Sequence, residues 1–417
     1  MGQETKINNI AGPPVEGDDF FGREQAVAAL RDLLEHHDVL LLGPRRIGKT
    51  SAARRILAEI RAEGWRAIEV NVAACKDERG LIDKLRAALV AELTPVAGKV
   101  GAIFNKARAA IGLTQINSIK YSSEGAGTVE TTLRNASEED WTGATGDVAG
   151  LIGQSQTPLL IYMDELPILL FNIITTDPHN GVQRVRRFLD WFRNDLRNLP
   201  GGGKARWLIT GSVGLDTLVQ QHGMADAVNS LKHQTLEPFT APEAVALLNK
   251  LAASYAVPLT EEESQAIVAA LRWPQPYYLQ LFFNELRAMT QGPPASRPGE
   301  HIEQILEQMI VSSADNDFHH WEERLTIQLC PADAQHALAL LGRTAHDPQG
   351  VRAETLLAEQ HERLPHADAD EARRTFIRLR DVLIRDAYWL ADESSGVKRY
   401  RFRLEPLRRW WARRDTL

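Results

Sequence analysis

The chain has 417 residues, and 48 Lys and Arg against 55 Asp and Glu give it a formal net charge of −7. A hydrophobic fraction of 44% and only two cysteines, Cys75 and Cys330, exclude disordered, collagen-like and disulfide-stapled chains. At roughly 100 to 200 residues per domain, the length predicts two to four domains. No apolar run approaches the ~20 residues needed to cross a bilayer, so we expect a cytoplasmic protein with no membrane partner.

The first half of the chain alternates between helical and strand patterns. Residues 1–18 mix Gly and Pro with polar side chains and predict a flexible arm. A helical pattern over 22–37 precedes the first of five short apolar runs, which predict strands at 39–42, 67–72, 159–163, 207–210 and 234–237. This alternation is typical of the α/β class, in which helices cover both faces of a parallel sheet.

The spacing of these elements predicts the domain organisation. Roughly 85 residues separate the second and third strands, which predicts an insertion at about 76–157 with a helix at 81–93 and a β-hairpin formed by TQINSIKY and TVETTLR. The pattern is helical after residue 240, and GPPASRPG marks a boundary near residue 295. We therefore expect a core at 19–240, a helical lid at 241–295, and a helical linker with a further module at 296–417.

A phosphate-binding motif lies between the first strand and the next helix. GPRRIGKT fits the pattern G-x-x-x-x-G-K-[ST], and its position after a strand and before a helix is the one that this loop requires. Lys49 would reach the β- and γ-phosphates of ATP, and Thr50 would bind Mg²⁺. The predicted nucleotide-binding residues are Gly43, Pro44, Arg45, Arg46, Ile47, Gly48, Lys49, Thr50 and Ser51.

Two carboxylates follow the third strand, in LLIYMDELP. Asp164 would hold Mg²⁺ through its water shell, and Glu165 could polarise the attacking water as general base. The pair could instead cap the following helix, but the phosphate-binding loop upstream favours catalysis.

The strand in RWLITGS should end beside the strand in LLIYMDELP, where a hydroxyl of Ser212 or Thr210 could position the water. An ordinary strand-end turn is the other interpretation.

Five segments together resemble a known family. In this order, FFGREQAV, GPRRIGKT, YMDELP, ITGSVG and LEPFTAPEA look like the archaeal-type ATPases, which are similar to the signal-transduction (STAND) ATPases of the AAA+ superfamily. The resemblance covers about 19–289 and implies a three-layer P-loop core, a helical lid and a C-terminal winged helix. It also implies that Phe21, Gly22 and Arg23 approach the nucleotide. The hydroxyl at the end of the RWLITGS strand would have the role called sensor 1 in related ATPases, and of Ser212 and Thr210 we take Ser212 as the catalytic candidate.

The chain departs from the family's pattern at two positions that bear on hydrolysis. Lys232 stands near the place of the usual Gly-Arg pair, and no arginine occurs between Trp207 and Glu237, which puts an arginine finger in doubt. The family's GxP appears as WPQP, with Arg272 beside it as a weak candidate for a γ-phosphate contact. The arginine-rich stretch 184–197 is most simply a solvated helix face with an apolar stripe, and we place no site there.

The C-terminal part predicts a winged helix-turn-helix, because helical patterns precede a basic hairpin made of AYWLA and VKRYRFRL. Apolar residues of the second strand alternate with Arg399, Arg401 and Arg403. Residues 398–417 carry eight basic and two acidic residues, but 331–417 have a net charge of only +2. Contact with duplex DNA and an interaction module whose arginines pair within the protein therefore remain equally open.

These observations favour an ATP-binding, slowly hydrolysing P-loop ATPase that acts as a nucleotide-dependent molecular switch. The alternative is a DNA-binding AAA+ initiator or loader that assembles on duplex DNA through its winged helix. A third interpretation, a scaffold with a purely structural nucleotide site, is disfavoured by the Asp164–Glu165 pair. The expected cofactors are ATP and Mg²⁺. Besides ATP and ADP, the partners left open are duplex DNA, a partner protein and further copies of the chain.

Overall fold

The computed structural model describes residues 6–93, 138–197, 205–211, 215, 218–219, 222–290, 298–313, 315–364, 368–394 and 396–414. The hairpin predicted within the insertion, between 114 and 134, lies outside these residues. Among the described helices, none combines the length and the apolar composition that crossing a bilayer requires.

A five-stranded parallel sheet forms the centre of the core, in the order β2-β3-β4-β1-β5. The five predicted strands are all present; the second is displaced by one residue and the last by two, and the fourth begins two residues earlier than predicted. The strands are β1 (Val39–Leu42), β2 (Arg66–Asn71), β3 (Leu159–Asp164), β4 (Ala205–Thr210) and β5 (Lys232–Thr235). Every residue of β3 is buried. This explains why the strands appear as continuous apolar runs: helices cover the sheet on both faces.

Helices cover the two faces of the sheet and complete three layers. On one face, α1 (Glu24–His36) and α2 (Lys49–Ala62) share an apolar cluster with β1 and β3. On the other face lies a second cluster, to which four helices contribute. They are α3 (Glu78–Leu93), α4 (Glu138–Gly153), α5 (Leu166–Thr176) and α6 (Gly181–Trp191).

The lid is formed by α7 (Ala241–Tyr255), α8 (Glu261–Leu271) and α9 (Pro276–Thr290). Capping boxes define where two of these helices begin: Thr240 with Glu243, and Thr260 with Glu263, each exchange hydrogen bonds between side chain and backbone. The helical pattern that the sequence shows after residue 240 is thus divided into three helices by local capping chemistry.

The C-terminal part contains the predicted winged helix. Its antiparallel sheet has the order β6-β8-β7, and the hairpin strands are shorter than predicted. The elements are α10 (Ile302–Gln308), α11 (Asp315–Gln328), α12 (Pro331–Ala345), β6 (Val351–Arg352), α13 (Ala353–Glu362), α14 (Ala369–Arg385), β7 (Trp389–Asp392), β8 (Arg399–Phe402) and α15 (Glu405–Arg414). The pattern analysis missed the last of these helices.

The predicted boundary near residue 295 does not separate two hydrophobic cores. Leu247 and Phe282 of the lid belong to the same cluster as Phe318 of α11 and Trp410 of α15. Lid and C-terminal module therefore pack as one body. The Pro/Gly-rich stretch that suggested the boundary marks a connection along the chain and carries no information about packing across it.

The prediction of a flexible arm is corrected by the structure, because from residue 6 onward the arm packs against the lid. Ile7 is only 3% exposed, and its N–H donates to Ser254 Oγ at 3.1 Å. Asn9 Nδ2 donates to Gln280 O at 2.9 Å and to Asn284 Oδ1 at 2.7 Å. A single buried isoleucine creates no periodicity, so the pattern analysis had no signal for this contact.

Candidate nucleotide site

The phosphate-binding loop connects the end of β1 to the start of α2, as its spacing predicts. Gly43 has φ of +146°, and a Cβ there would lie 3.1 Å from Leu236 O and 3.2 Å from Ile47 Cγ2. Only glycine fits such a close approach of backbone to backbone. The loop thus presents its N–H groups at the N-terminus of α2, an arrangement suited to phosphate.

Lys49 is held inside this loop. Its side chain is 7% exposed, and Nζ donates to Gly43 O at 2.7 Å and to Pro44 O at 3.0 Å. Burial lowers the pKa of Lys49 to about 8, and the nearby carboxylates of Glu165 and Asp164 oppose this effect. The ammonium group is therefore fixed at the loop and surrounded by the predicted acidic pair.

Asp164 gathers oxygen and nitrogen donors from three other elements. Thr50 Oγ1 donates to Asp164 Oδ2 at 3.3 Å, Thr210 Oγ1 donates to Oδ1, and Asn71 Nδ2 lies 3.5 Å from Oδ2. A carboxylate beside a threonine hydroxyl is a pair of hard oxygen ligands of the type that Mg²⁺ prefers. The residues present therefore fit the predicted metal site of Thr50 and Asp164.

A buried tyrosine supports the same network and was not predicted. Tyr162 precedes Asp164 by two residues on β3, so both side chains point to one face of the sheet. The hydroxyl oxygens of Thr210 and Tyr162 lie at a hydrogen-bond distance of 3.3 Å, and burial raises the pKa of the Tyr162 phenol. In the sequence, Tyr162 appears only as one apolar residue of a strand.

Of the two hydroxyls considered at the end of β4, the structure describes Thr210 at Asp164, whereas Ser212 lies outside the described residues. Met163 of β3 is paired with Ile209 of β4, so this end lies beside the acidic pair as predicted. A Cβ on Gly211 would lie 2.3 Å from Pro167 Cγ of α5. Glycine here lets the end of β4 press against the helix that follows the acidic pair.

Glu165 begins α5 with a left-handed backbone, at φ of 62°. A non-glycine residue in this region is strained, and such strain is common at functional sites. Glu165 lines the same cavity as Lys49 and Thr50. Glu165 occupies the N-cap position of α5, but its side chain makes no capping hydrogen bond there, so the structure does not support the capping interpretation.

The cavity has a volume of about 200 Å³ and is enclosed by three parts of the chain. The core contributes the loop and Glu165. The arm and the lid contribute walls that the sequence analysis missed, among them Ile10, Gly12, Pro13, Pro14, Val15, Tyr277 and Gln280. Ser51 holds the arm in place, because its Oγ accepts a hydrogen bond from Val15 N at 3.1 Å.

Arg23, which was predicted to approach the nucleotide, is hydrogen-bonded to two backbone oxygens of its own chain. Its guanidinium donates to Glu237 O and to Ile47 O, both at 2.7 Å, and lies over the ring of Phe239. Burial lowers its pKa to about 10. Although Arg23 borders the cavity, its donors clamp the phosphate-binding loop to the segment after β5. Gly22 packs against Phe239, where a Cβ would lie 3.1 Å from Cε1.

The two arginines of the loop differ in their surroundings. Arg45 is exposed and lines the cavity. Arg46 also lines it, but its Nε donates to Asp317 Oδ1 at 3.2 Å, and its guanidinium lies 4.5 Å from the ring centre of Tyr277. Asp317 belongs to α11, far along the chain, and no sequence motif pointed to it.

Two other candidate cations lie away from the cavity. Arg272 donates to Pro348 O at 2.7 Å and pairs with Glu405 at 3.3 Å, so it joins the lid to the C-terminal module and is no γ-phosphate contact in this structure. Lys232 is exposed at the start of β5, opposite Val39. The phosphate-binding loop follows the other end of β1, so Lys232 and the loop lie at opposite ends of the parallel strands.

The wing arginines alternate with buried residues as predicted, but they contact their own chain. Arg399 donates to Gly350 O at 2.7 Å, Arg401 lies 3.5 Å from Asp392, and Arg403 donates to Trp389 O at 3.0 Å. The basic residues of α15 likewise pair with glutamates of α10, α11 and α15. The arginines of α6 pair with acidic neighbours, in agreement with the absence of a predicted site there.

A parallel sheet of this order, with a phosphate-binding loop after β1 and an acidic pair at the end of β3, defines a P-loop α/β fold, which is followed here by a helical lid and a winged helix. No family model and no curated protein matches the chain.

Solved structures do match the chain. A Walker-type ATPase of Pyrococcus abyssi superposes with a TM-score of 0.58 at 17% identity, covering 97% of this chain and 99% of that one. The ORC2 protein of Aeropyrum pernix, in ADPNP–ADP complexes, gives a TM-score of 0.54 at 11% identity, covering 96% and 98%. At such identities the likeness shows the fold, and it confirms the fold that the resemblance implied.

Proposed function

We propose that this protein binds ATP with Mg²⁺, hydrolyses it slowly, and uses the nucleotide state to reposition its lid and winged helix. One observation carries the proposal: Lys49, Thr50 and Glu165 line one cavity, and Thr50 is hydrogen-bonded to Asp164. The fold of the solved neighbours, one of them holding ADPNP and ADP, supports nucleotide binding.

Each residue has a role that follows from its position. The N–H groups of the loop and the ammonium of Lys49 would bind the β- and γ-phosphates. Thr50 and Asp164 would hold Mg²⁺, which neutralises charge on the phosphates when bound. Thr210 and Tyr162 orient Asp164, and Glu165 would accept a proton from the attacking water.

We expect slow hydrolysis because Lys232 stands near the place of the family's Gly-Arg pair, and a lysine lacks the bidentate fork of an arginine finger. An arginine finger is worth about 10³ to 10⁵ in turnover in P-loop enzymes, so a site that works without one would have a low rate.

The switch is supported by the walls of the cavity. Because arm, core and lid all border it, a bound nucleotide would contact all three and favour the arrangement that fits it best. The alternative function, assembly on duplex DNA through the wing, loses support because Arg399, Arg401 and Arg403 are engaged within the chain.

The substitution Glu165→Gln tests the proposal. The amide keeps the shape of the side chain and cannot act as a base, so turnover should fall by about 10² or more while ATP affinity is retained. The matched control is Glu69→Gln. Glu69 lies on β2, away from the cavity, and this substitution removes its ion pair with Arg54 of α2. Phosphate release and calorimetry measure the two quantities, and turnover of Glu165→Gln at the wild-type rate would exclude Glu165 as the base.

A further inference from the structure

A buried carboxylate of the C-terminal module contacts the phosphate-binding loop. Asp317 of α11 is 4% exposed, and its two oxygens have different partners. Oδ1 accepts from Arg46 Nε at 3.2 Å, and Oδ2 accepts from the hydroxyl of Tyr278 at 2.6 Å. Trp321, one turn further along α11, donates from Nε1 to the same hydroxyl at 3.1 Å. Loop, lid and α11 thus meet at one carboxylate.

Such a carboxylate makes the docking of α11 depend on the loop. Removing one partner of a buried ion pair leaves a charge that water does not stabilise, which is strongly destabilising. Arg46 in its present position therefore stabilises the buried carboxylate of Asp317, together with the hydroxyl of Tyr278. Arg46 has a left-handed backbone, at φ of 70°, so the contact also holds the loop in a conformation that a non-glycine residue adopts reluctantly.

We propose that α11 completes the nucleotide site: Asp317 positions the phosphate-binding loop through Arg46, so that nucleotide binding and the docking of α11 stabilise each other. This inference rests on the proposed ATP binding and deepens it. The coupling between two sites is reciprocal by linkage.

The coupling continues into the winged helix. The hydroxyl of Tyr388, just before β7, donates to the backbone oxygen of Trp321, and the rings of Trp321 and Tyr388 pack edge to face at 5.1 Å. A change in the docking of α11 would therefore reach the wing through contacts between packed side chains. This route gives the nucleotide-dependent switch a physical connection between its two ends.

Calorimetric titration of the full chain with ADP and with a non-hydrolysable ATP analogue, both in the presence of Mg²⁺, tests the inference. Asp317→Asn should weaken nucleotide binding by about 5-fold or more, the lower end of usual coupling between sites. The control is Arg378→Gln, which breaks an ion pair with Asp333 elsewhere in the C-terminal module and should bind like wild type. Circular dichroism establishes that each variant folds.

Hydrogen exchange distinguishes this coupling from a merely structural role of Asp317. Nucleotide should slow exchange in α11 and β7 of the wild type and of Arg378→Gln, and this protection should shrink in Asp317→Asn. If Asp317→Asn does not fold, Arg46→Gln probes the same contact from the loop. Unchanged or tighter binding by folded Asp317→Asn, or no protection of α11 in the wild type, would overturn the inference. Failure of the wild type to bind nucleotide would instead overturn the proposed function.

Discussion

At the scale of single residues, the orientation of Asp164 depends on neighbours that come from another strand and from a helix. The hydroxyl of Thr210 on β4 donates to one carboxylate oxygen and that of Thr50 on α2 to the other. A hydrogen bond to a charged group contributes about 1.5 to 3 kcal/mol. The geometry of the proposed metal site therefore depends on several elements, and the contribution of one hydroxyl can be measured.

Thr210→Val removes that hydroxyl with little change in shape. We expect turnover to fall about 10-fold or more and the Mg²⁺ concentration for half-maximal turnover to rise, because Asp164 loses a partner that orients it. Thr175→Val is the control, since its hydroxyl bonds to backbone oxygens at the exposed end of α5. An unchanged Mg²⁺ dependence in Thr210→Val would show that Thr210 does not position the metal ligand.

The pKa of Lys49 predicts how nucleotide binding responds to pH. Burial lowers this pKa to about 8, with Arg324 and Arg45 acting in the same direction and Glu165 and Asp164 opposing them. A bound triphosphate favours the charged form, so Lys49 stays protonated in the complex. Below about pH 8 the free protein already carries this proton, and above it the proton must be taken up on binding.

Calorimetry in two buffers of different ionisation enthalpy measures this uptake. We expect up to about one proton taken up at about pH 9 and none from this group at about pH 7. Lys49→Arg is the control, because a guanidinium does not titrate in this range and should show no uptake. Equal proton uptake by wild type and Lys49→Arg at about pH 9 would contradict the assignment.

The sequence predicted those site residues that belong to local motifs. Lys49, Thr50 and Asp164 each follow a strand at a fixed distance, and a strand end can be recognised from a short apolar run. Tyr162 and Asp317 could not be found in this way, because their roles depend on which strand or helix becomes a neighbour in space. Arg23 was assigned to the right place, but its hydrogen-bond partners could not be predicted.

At the scale of elements, β8 shows how a correct pattern can have two meanings. The alternation of apolar residues with arginines predicts a strand with one buried face, and the structure confirms it. The sequence pattern does not show whether the other face of the strand contacts a phosphate backbone or the protein itself. The carbonyls of Gly350 and Trp389 that accept from Arg399 and Arg403 come from segments outside the strand.

Arg403→Ala should therefore affect stability more than DNA binding. The substitution removes a donor to Trp389 O, and we expect the free energy of unfolding to fall by about 1 to 3 kcal/mol in denaturant titrations. Arg352→Ala, on the neighbouring strand β6, is exposed and serves as control. If stability is unchanged and affinity for duplex DNA falls, with a flatter salt dependence in fluorescence anisotropy, the wing is a DNA contact after all.

At the scale of the whole molecule, the order of core, lid and winged helix was predictable because each has its own periodicity. How these parts pack was not, since a linker rich in Pro and Gly says nothing about the surfaces on either side of it. Leu247 of the lid and Trp410 of α15 share one apolar cluster, and Arg46 joins this body to the phosphate-binding loop. The proposed switch depends on these contacts.

The most direct test of the central claim is calorimetric titration of ATP with Mg²⁺ into the full chain and into Lys49→Ala. The wild type should bind one ATP per chain with saturation, and Lys49→Ala should fold normally but show no measurable binding, because the cation at the β- and γ-phosphates is gone. No binding by the wild type, or equal affinity in Lys49→Ala, would contradict the claim that this cavity is an ATP site.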